Sequence, residues 1–306
     1  MKPLTASFLV LLFARSAFAQ INLSDSTVQV IGYWYNGERQ SYVVTQEKYK
    51  IQGLDTTSKE LATHEVDITI TDSTATSYTI EWLYKNFSTQ GDNLLLRKLS
   101  ALSENLRVVI TTDEMGAFVE VVNWEEVRDF MRKGFDLIGE DLKSDPKTAQ
   151  VLTQLTAMFS SREAIQSVAI KDILQYYTFH GARYKLNEEY SAAQRVSNMF
   201  GGEPFDTELT VLLDEIDPDN DDCVLRLWQE VDSTQTTEAS YEFIKKTALA
   251  TGSTPPRREA IQPLSIEDRT ASRIHGSSGW VLFTINTREV TTEGLRTIEF
   301  RSFDIK

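Results

Sequence analysis

The sequence contains very few cysteine and histidine residues, with one Cys and three His among 306 residues. A single cysteine, Cys223, excludes an internal disulfide, so a fold of this length has to be stabilised by its apolar core. Cys223 lies at an apolar position of a predicted strand, and no basic residue adjoins it in sequence. We therefore interpret it as a small buried hydrophobic side chain rather than a reactive thiol.

The motifs of the common hydrolases are incomplete. The stretch after His64 begins like the zinc-protease motif H-E-x-x-H, but Ile68 stands where the second histidine is required. Only two residues separate Gly276 from Gly279, so the serines between them do not form G-x-S-x-G. The sequence therefore favours a protein without catalytic activity. A hydrolase whose acidic side chains meet only in the folded state is the alternative.

Basic residues are also fewer than acidic ones, 31 against 45, and the net charge is −14. No basic patch stands out, which argues against a nucleic-acid partner and against anionic lipid headgroups. The apolar run Phe8–Phe13 follows Lys2 and precedes Ala17–Ala19, as in a secretory signal peptide. We predict cleavage between Ala19 and Gln20 and a secreted or periplasmic protein. No transmembrane segment is expected in the mature chain.

Alternating apolar and polar residues form the clearest pattern in the chain. In Glu65–Lys85 this alternation continues on both sides of a polar turn at Asp72–Ser77. A period of two on both sides of a turn indicates an antiparallel hairpin with one buried face. We predict that Tyr78, Ile80 and Trp82 share that buried face.

A second stretch, Glu208–Glu230, repeats this pattern. Val66 aligns with Leu209 at an offset of 143 residues, and Tyr78 aligns with Cys223 at an offset of 145. We interpret the pair as an internal duplication. The alternative is that any two amphipathic hairpins align equally well, because alternation is a general property of half-buried strands.

Between the two stretches the apolar period becomes helical. We predict an α+β fold in which two antiparallel, duplicated and curved β-sheets pack with a central helical segment. The predicted segments are residues 1–19 (signal peptide), 20–123 (first β half), 124–180 (helical) and 181–306 (second β half). The second half includes a helix at 236–250 and a proline-rich loop at 251–263.

An acidic run forms the predicted tip of the second hairpin. Asp217, Asp219 and Asp221 match the opening of a calcium loop, since carboxylate oxygens suit Ca²⁺. Asp222 then replaces the turn glycine and Trp228 replaces the bidentate glutamate, which excludes an EF-hand. A looser calcium site and a solvated turn both remain open.

Several short motifs carry a resemblance. The Ala-Gln cleavage site, Ala117–Glu120, Asn123–Val127 and Gly279-Trp280 resemble uncharacterised exported proteins of Bacteroidota. This resemblance implies no activity. Curved sheets on helices are also similar to exported lipoprotein carriers that cradle acyl chains, a likeness of fold alone.

Three functions follow as expectations. The first is an exported, non-catalytic binding or carrier protein for a small, apolar or lipophilic ligand. The second is an interaction or structural module that binds an envelope protein. The third is a hydrolase.

Overall fold

The computed structural model describes residues 20–90, 94–141, 151–153, 155–157, 159–166, 170–198, 200–250 and 252–306. The predicted signal peptide lies outside these residues. The described strands are β1 (Ile21–Asn22), β2 (Thr27–Gln29), β3 (Arg39–Gln52), β4 (Asp55–Ser73), β5 (Ser77–Gln90), β6 (Arg107–Asp113), β7 (Phe118–Val121), β8 (Arg183–Lys185), β9 (Glu189–Val196), β10 (Phe205–Asp217), β11 (Asp222–Val231), β12 (Ser265–His275), β13 (Val281–Thr292) and β14 (Leu295–Ile305). The helices are α1 (Leu94–Leu102), α2 (Trp124–Asp141), α3 (Arg162–Ala164), α4 (Lys171–Tyr176) and α5 (Ser233–Ala250).

Both predicted β halves belong to one 11-stranded antiparallel sheet, in the order β7-β6-β5-β4-β3-β14-β13-β12-β11-β10-β9. Strand β14 pairs with β3 from Leu295↔Gln52 to Ile305↔Tyr42 and joins the halves. The expectation that each half forms its own sheet is therefore corrected. Pairing is favoured because each separate meander would leave a long edge of unpaired backbone groups. The second sheet is small, with the order β1-β2-β8.

The two predicted hairpins are confirmed as β4–β5 and β10–β11. Each contains a register shift near its turn, between Ile70 and Asp72 in β4 and between Leu213 and Glu215 in β10. Such bulges bend a strand and increase its twist. The sheet is therefore bent at corresponding places in its two halves.

Two segments differ from what their local sequence predicts. The polar composition of Gly53–Lys59 predicts a loop, but the segment is mostly strand, because β4 starts at Asp55 and pairing with β3 continues to the turn. The alternation in Val28–Tyr35 predicts one strand, but the strand ends with β2 at Gln29. Beyond it, the Gly32 N–H donates to the Met115 carbonyl at 3.0 Å, a contact with another loop rather than with a strand.

The sequence predicts three helices in the helical segment, the third starting after a cap at Ser161, and the structure interrupts this third helix at Ile170. Ser161 does cap its start, since its side chain accepts a hydrogen bond from the Ala164 N–H at 3.2 Å. The described helical residues then divide into the short α3 and α4. The predicted helix at 236–250 is confirmed and begins earlier, at Ser233.

One face of the large sheet carries the buried side chains, and we call it the inner face. Helix α4 and the residues after it pack on this face, where Tyr176 lies edge-on to Trp82 at 5.3 Å and to Tyr42 at 5.4 Å between ring centroids. Ile80 and Trp82 are fully buried, and the partly buried Tyr78 packs on the same core, which confirms the predicted shared face. The inner face under α4 is thus filled by side chains.

Helix α5 covers the inner face at a different place. Its Ala239 packs on a second buried cluster formed by Phe205, Val231 and Ile266, with Val290 beside them. Between α4 and α5, the described residues leave part of the inner face exposed. We call this region the inner-face strip.

Candidate functional site

The inner-face strip begins at a buried ion pair at the start of α4. The Asp172 carboxylate lies 2.9 Å from Arg301 Nε and 3.4 Å from His64 Nε2. The His64 ring stacks on Phe87, with centroids 4.7 Å apart. These contacts fix the first turn of α4 to strands β4 and β14.

The charges around Asp172 favour its ionised form. Burial raises the pKa of this carboxyl, but Arg301, His64 and Lys171 outweigh burial, so its pKa lies below the ordinary value. Asp172 is therefore an anion at neutral pH. Its role is to anchor the helix to the sheet.

Beyond Asp172, five charged side chains occupy directly paired positions on five adjacent strands and alternate in sign. In order across the sheet they are Asp268, Arg288, Glu299, Lys48 and Glu60. We call them the charge row. Arg288 lies 3.2 Å from Asp268, and Lys48 is hydrogen-bonded to Glu299. Opposite charges at paired positions stabilise neighbouring strands, so the row also fixes the register.

Lys171 from α4 adds a cation to the charge row. Removal of its ammonium group from water, together with Arg288 and Arg301 nearby, lowers the pKa of Lys171. Burial raises the pKa of Asp268 despite its ion pair with Arg288. Titratable groups perturbed in this way are concentrated at functional sites.

The formal charge of this cluster is zero, because it contains four cationic and four anionic side chains. The cations are Lys48, Lys171, Arg288 and Arg301, and the anions are Asp172, Asp268, Glu299 and Glu60. Three of the cations, Lys171, Arg288 and Arg301, lie close enough to repel one another.

The other side of the inner-face strip is apolar. Val211 on β10 pairs with Leu227 on β11, and Leu227 pairs with Thr270 on β12. Leu209 and Leu227 are partly exposed, while Thr270 is buried. Gln229 is two residues from Leu227 on the same face of β11, and it pairs with Asp268 of the charge row. The apolar surface and the charge row are therefore neighbours on the inner face. The strip is therefore amphipathic, apolar on β10–β11 and charged on β12–β14.

The predicted calcium residues lie at the tip of the β10–β11 hairpin. The Asp217 side chain accepts hydrogen bonds from the N–H groups of Asp219 and Asn220 at 3.1 and 3.2 Å. The Asp221 carboxylate accepts one from the Ser277 N–H at 3.0 Å. Within the described part of the chain, no three His, Cys, Asp or Glu side chains are arranged to hold a metal ion. The calcium site stays a prediction.

A histidine, a serine and an aspartate also meet beside this tip. His275 Nδ1 lies 2.8 Å from Ser278 Oγ, and His275 Nε2 lies 3.6 Å from Asp221 Oδ2. The distance to Asp221 exceeds that of a hydrogen bond. The ring nitrogens are also reversed relative to serine hydrolases, in which Nε2 contacts the serine. Because Ser278 Oγ accepts from the Trp280 N–H at 3.3 Å, we interpret this group as a turn.

His180 is buried away from the inner-face strip. Its Nε2 lies 2.8 Å from the Gly279 carbonyl oxygen, which can only accept, so Nε2 carries the proton. Burial lowers the pKa of His180 to about 4. The ring is therefore neutral near pH 7 and has a structural role.

Two small grooves lie elsewhere on the surface. One, of about 230 Å³, is beside α2 and is lined in part by Arg128, Arg132 and Phe135. The other, of about 280 Å³, is on the outer face of the sheet and includes Ile285 and Phe300. Both volumes are below the usual range for ligand pockets, about 300–1,000 Å³. We therefore consider the inner-face strip the stronger candidate.

No family model matches the chain, and no curated protein matches it. Among solved structures, lipovitellin, described as a lipid–protein complex, aligns with 89% of this chain at 8% identity and a TM-score of 0.40. The chain spans about a quarter of that protein, 25%. The outer membrane protein Omp33 of Acinetobacter baumannii aligns at 7% identity and a TM-score of 0.18, covering 88% of this chain and 99% of its own. Scores of this size do not establish a common fold.

Within the described part of the chain, none of the helices is both long and apolar enough to cross a bilayer.

Proposed function

We propose that the protein is an exported, non-catalytic binding or carrier protein for an amphipathic ligand with an anionic head group. The observation that carries this proposal is the inner-face strip, in which partly exposed leucines border a charged cluster where the cations Lys171, Arg288 and Arg301 lie close together. Its ligand would lie across β10–β14, between α4 and α5.

The head group would be held by Lys171 and Arg288. Partial burial lowers the pKa of Lys171, and the nearby Arg288 and Arg301 lower it further. A ligand anion placed among these groups would offset their mutual repulsion and favour the charged lysine. Such a contact would be a charge-assisted hydrogen bond, which is stronger than a neutral one.

The apolar part of the ligand would cover Leu209, Val211 and Leu227. Covering partly exposed apolar surface contributes about 25 cal/mol for each Å² removed from water. The charged and apolar halves would then act together, because each fixes the orientation of the ligand for the other.

Binding of matched amphiphiles tests this function. Calorimetric titration with dodecanoate should show binding, and dodecanol, which has the same chain and no charge, should bind at least about tenfold more weakly. Arg288→Gln should remove most of the preference for the anion. Arg296→Gln is the control, because Arg296 pairs with Glu289 on the opposite face of the sheet. Equal affinity for the two amphiphiles, or no binding of either, would refute the proposal.

Export follows from the sequence, and its test is N-terminal sequencing of the protein recovered outside the cytoplasm. A mature chain that starts at Gln20 is the expected result. The alternative role, as an interaction module of the envelope, is favoured by the exposed strand β9.

We also propose that hairpins β4–β5 and β10–β11 are copies of one ancestral unit. This proposal is supported by the cross-strand pairing, because residues that are aligned by sequence form equivalent pairs in the two hairpins. Ile70 pairs with Ile80, and their aligned residues Leu213 and Leu225 pair as well. Both hairpins then shift register at the next position.

A further inference from the structure

The two edges of the large sheet are unequal. At one edge, β7 is only four residues long, and the Val121 N–H donates to the Gln166 side chain at 3.4 Å. At the other edge, β9 has eight residues, of which Glu189–Arg195 are all exposed. A long exposed edge is a template for pairing with another strand.

Strand β9 has few of the features that protect edge strands, since its only charged side chains are Glu189 and Arg195 near its two ends. Its sequence, Glu-Tyr-Ser-Ala-Ala-Gln-Arg-Val, contains no proline and no lysine. It pairs with β10 in unbroken register, from Glu189↔Leu212 to Val196↔Phe205, so no described bulge turns it away. Among the described residues, no backbone hydrogen bond is recorded on its free side.

We propose that β9 pairs antiparallel with β9 of a second copy of this chain, so that two sheets become one across a two-fold axis at Ala192. In this register Glu189 lies opposite Arg195 of the other copy, and symmetry provides the same pair twice. Glu189 and Arg195 are each three residues from Ala192. They therefore point to the same face of the sheet, as an ion pair requires.

The centre of the proposed interface is small and uncharged. Ala192 would face Ala192, and Ser191 would face Ala193, so nothing bulky separates the backbones. Antiparallel self-pairing is isologous, because each copy presents the same surface to the other. A strand whose opposite charges are placed symmetrically about its centre fits a second copy better than an unrelated partner.

Charge reversal tests the register. Light scattering after size exclusion should show a concentration-dependent dimer for the parent chain. Glu189→Arg or Arg195→Glu alone would place like charges opposite each other twice and should weaken dimerisation on the order of tenfold. Glu189→Gln should lie between the parent and E189R. Glu293→Arg, an equal charge change at the β13–β14 turn, should dimerise like the parent.

Mixing is the decisive step. E189R and R195E are each repulsive alone, but together they would form a heterodimer with both ion pairs complementary. The double variant E189R/R195E should likewise dimerise like the parent. Within its own chain Arg195 donates to the Pro204 carbonyl at 3.1 Å and lies 3.4 Å from the Asp206 carboxylate. Because R195E also places two acidic groups side by side there, circular dichroism has to confirm that it is folded. If R195E does not fold, the register can still be tested by comparing the dimerisation of the parent chain, E189Q and E189R.

Hydrogen exchange gives an independent readout, because amides of β9 should gain protection as the protein concentration rises. A parent chain that stays monomeric at its highest soluble concentration would overturn the proposal. So would E189R or R195E variants that dimerise like the parent, or a mixture that dimerises no better than its components.

Discussion

Hairpins β4–β5 and β10–β11 have the same register and the same bulge but different surroundings. Ile68 and Trp82 form a fully buried pair in the first hairpin. The corresponding pair in the second, Val211 and Leu227, is 9% exposed at Val211 and partly exposed at Leu227. The difference comes from α4, which covers the first hairpin and leaves the second to border the inner-face strip. One strand pattern thus serves as core in one place and as surface in another.

One polar contact of α4 is present at the first hairpin and absent from the second. His64 on β4 lies 3.4 Å from Asp172 of α4. At the aligned position on β10, Thr207 instead donates to the Glu230 carbonyl at 2.6 Å, a contact within its own hairpin. The His64 contact adds to those that Arg301 and Tyr176 provide on the side of the first hairpin.

Among the variants that test this comparison, Trp82→Ala should have the largest effect. Trp82 is fully buried and touches the aromatic rings of Tyr176 and Phe303. We expect the free energy of unfolding to fall by about 3–5 kcal/mol, from lost burial and the cavity left behind. Urea denaturation measures this loss. A loss as small as that of Leu227→Ala would contradict the division into core and surface.

Asp172→Asn should have the next largest effect, because it leaves Arg301 and His64 without their carboxylate. Removing one partner of a buried ion pair costs about 3 kcal/mol or more. Asp214→Asn is the matched control in the second hairpin. Asp214 forms an exposed pair with Arg226 at 2.7 Å, so its loss should cost less than about 1 kcal/mol.

The effect of Asp172→Asn should also depend on pH. Because the folded-state pKa of Asp172 lies below its ordinary value, its stabilisation is complete above the unfolded pKa, about 3.9. It is lost as pH falls through the folded pKa. The stability difference between the parent and D172N should therefore shrink as pH is lowered from about 5 to about 3. A constant difference over that window would show that the carboxylate charge is not what anchors α4.

Leu227→Ala should cost about 1 kcal/mol, because this side chain is only partly buried. Leu225→Ala, two residues away and fully buried, should cost about 2–5 kcal/mol and serves as the control. Leu227→Ala should nevertheless weaken dodecanoate binding, which calorimetry measures. An unchanged affinity would remove the apolar half of the inner-face strip from the proposed site.

The smallest expected effect concerns the tips of the two hairpins. The tip of β10–β11 carries Asp217, Asp219 and Asp221, whereas the tip of β4–β5 is rich in Ser and Thr. If the acidic tip binds Ca²⁺, calcium equal to its dissociation constant should stabilise the fold by about 0.4 kcal/mol. Thermal unfolding would show this gain, and Asp219→Asn should abolish it. A gain that persists in D219N would place the ion elsewhere.

Local patterns predicted much of this fold. Both hairpins, the final strands β12–β14 and helix α5 follow from alternation or helical period within single segments. The site could not be predicted in this way, because the charge row depends on register between strands far apart in sequence. Lys48 and Glu299 are each ordinary charged residues on a strand, and only the pairing of β3 with β14 makes them neighbours.

The same limit explains the error over the number of sheets. Nothing local in Arg39–Gln52 or Leu295–Ile305 indicates that each is the partner of the other. Interruption of the third helix before α4 was missed for a similar reason. The position of α4 is fixed by the contacts of Asp172 with His64 and Arg301, and these two residues belong to strands distant in sequence.

The β3–β14 pairing also sets the order in which the chain can fold. Lys48 and Glu299 are 251 residues apart, so this seam closes a very long loop. Contacts of such high sequence separation slow folding, since loop-closure entropy is lost before the pairing stabilises anything. The large sheet cannot be completed until β14 has been synthesised.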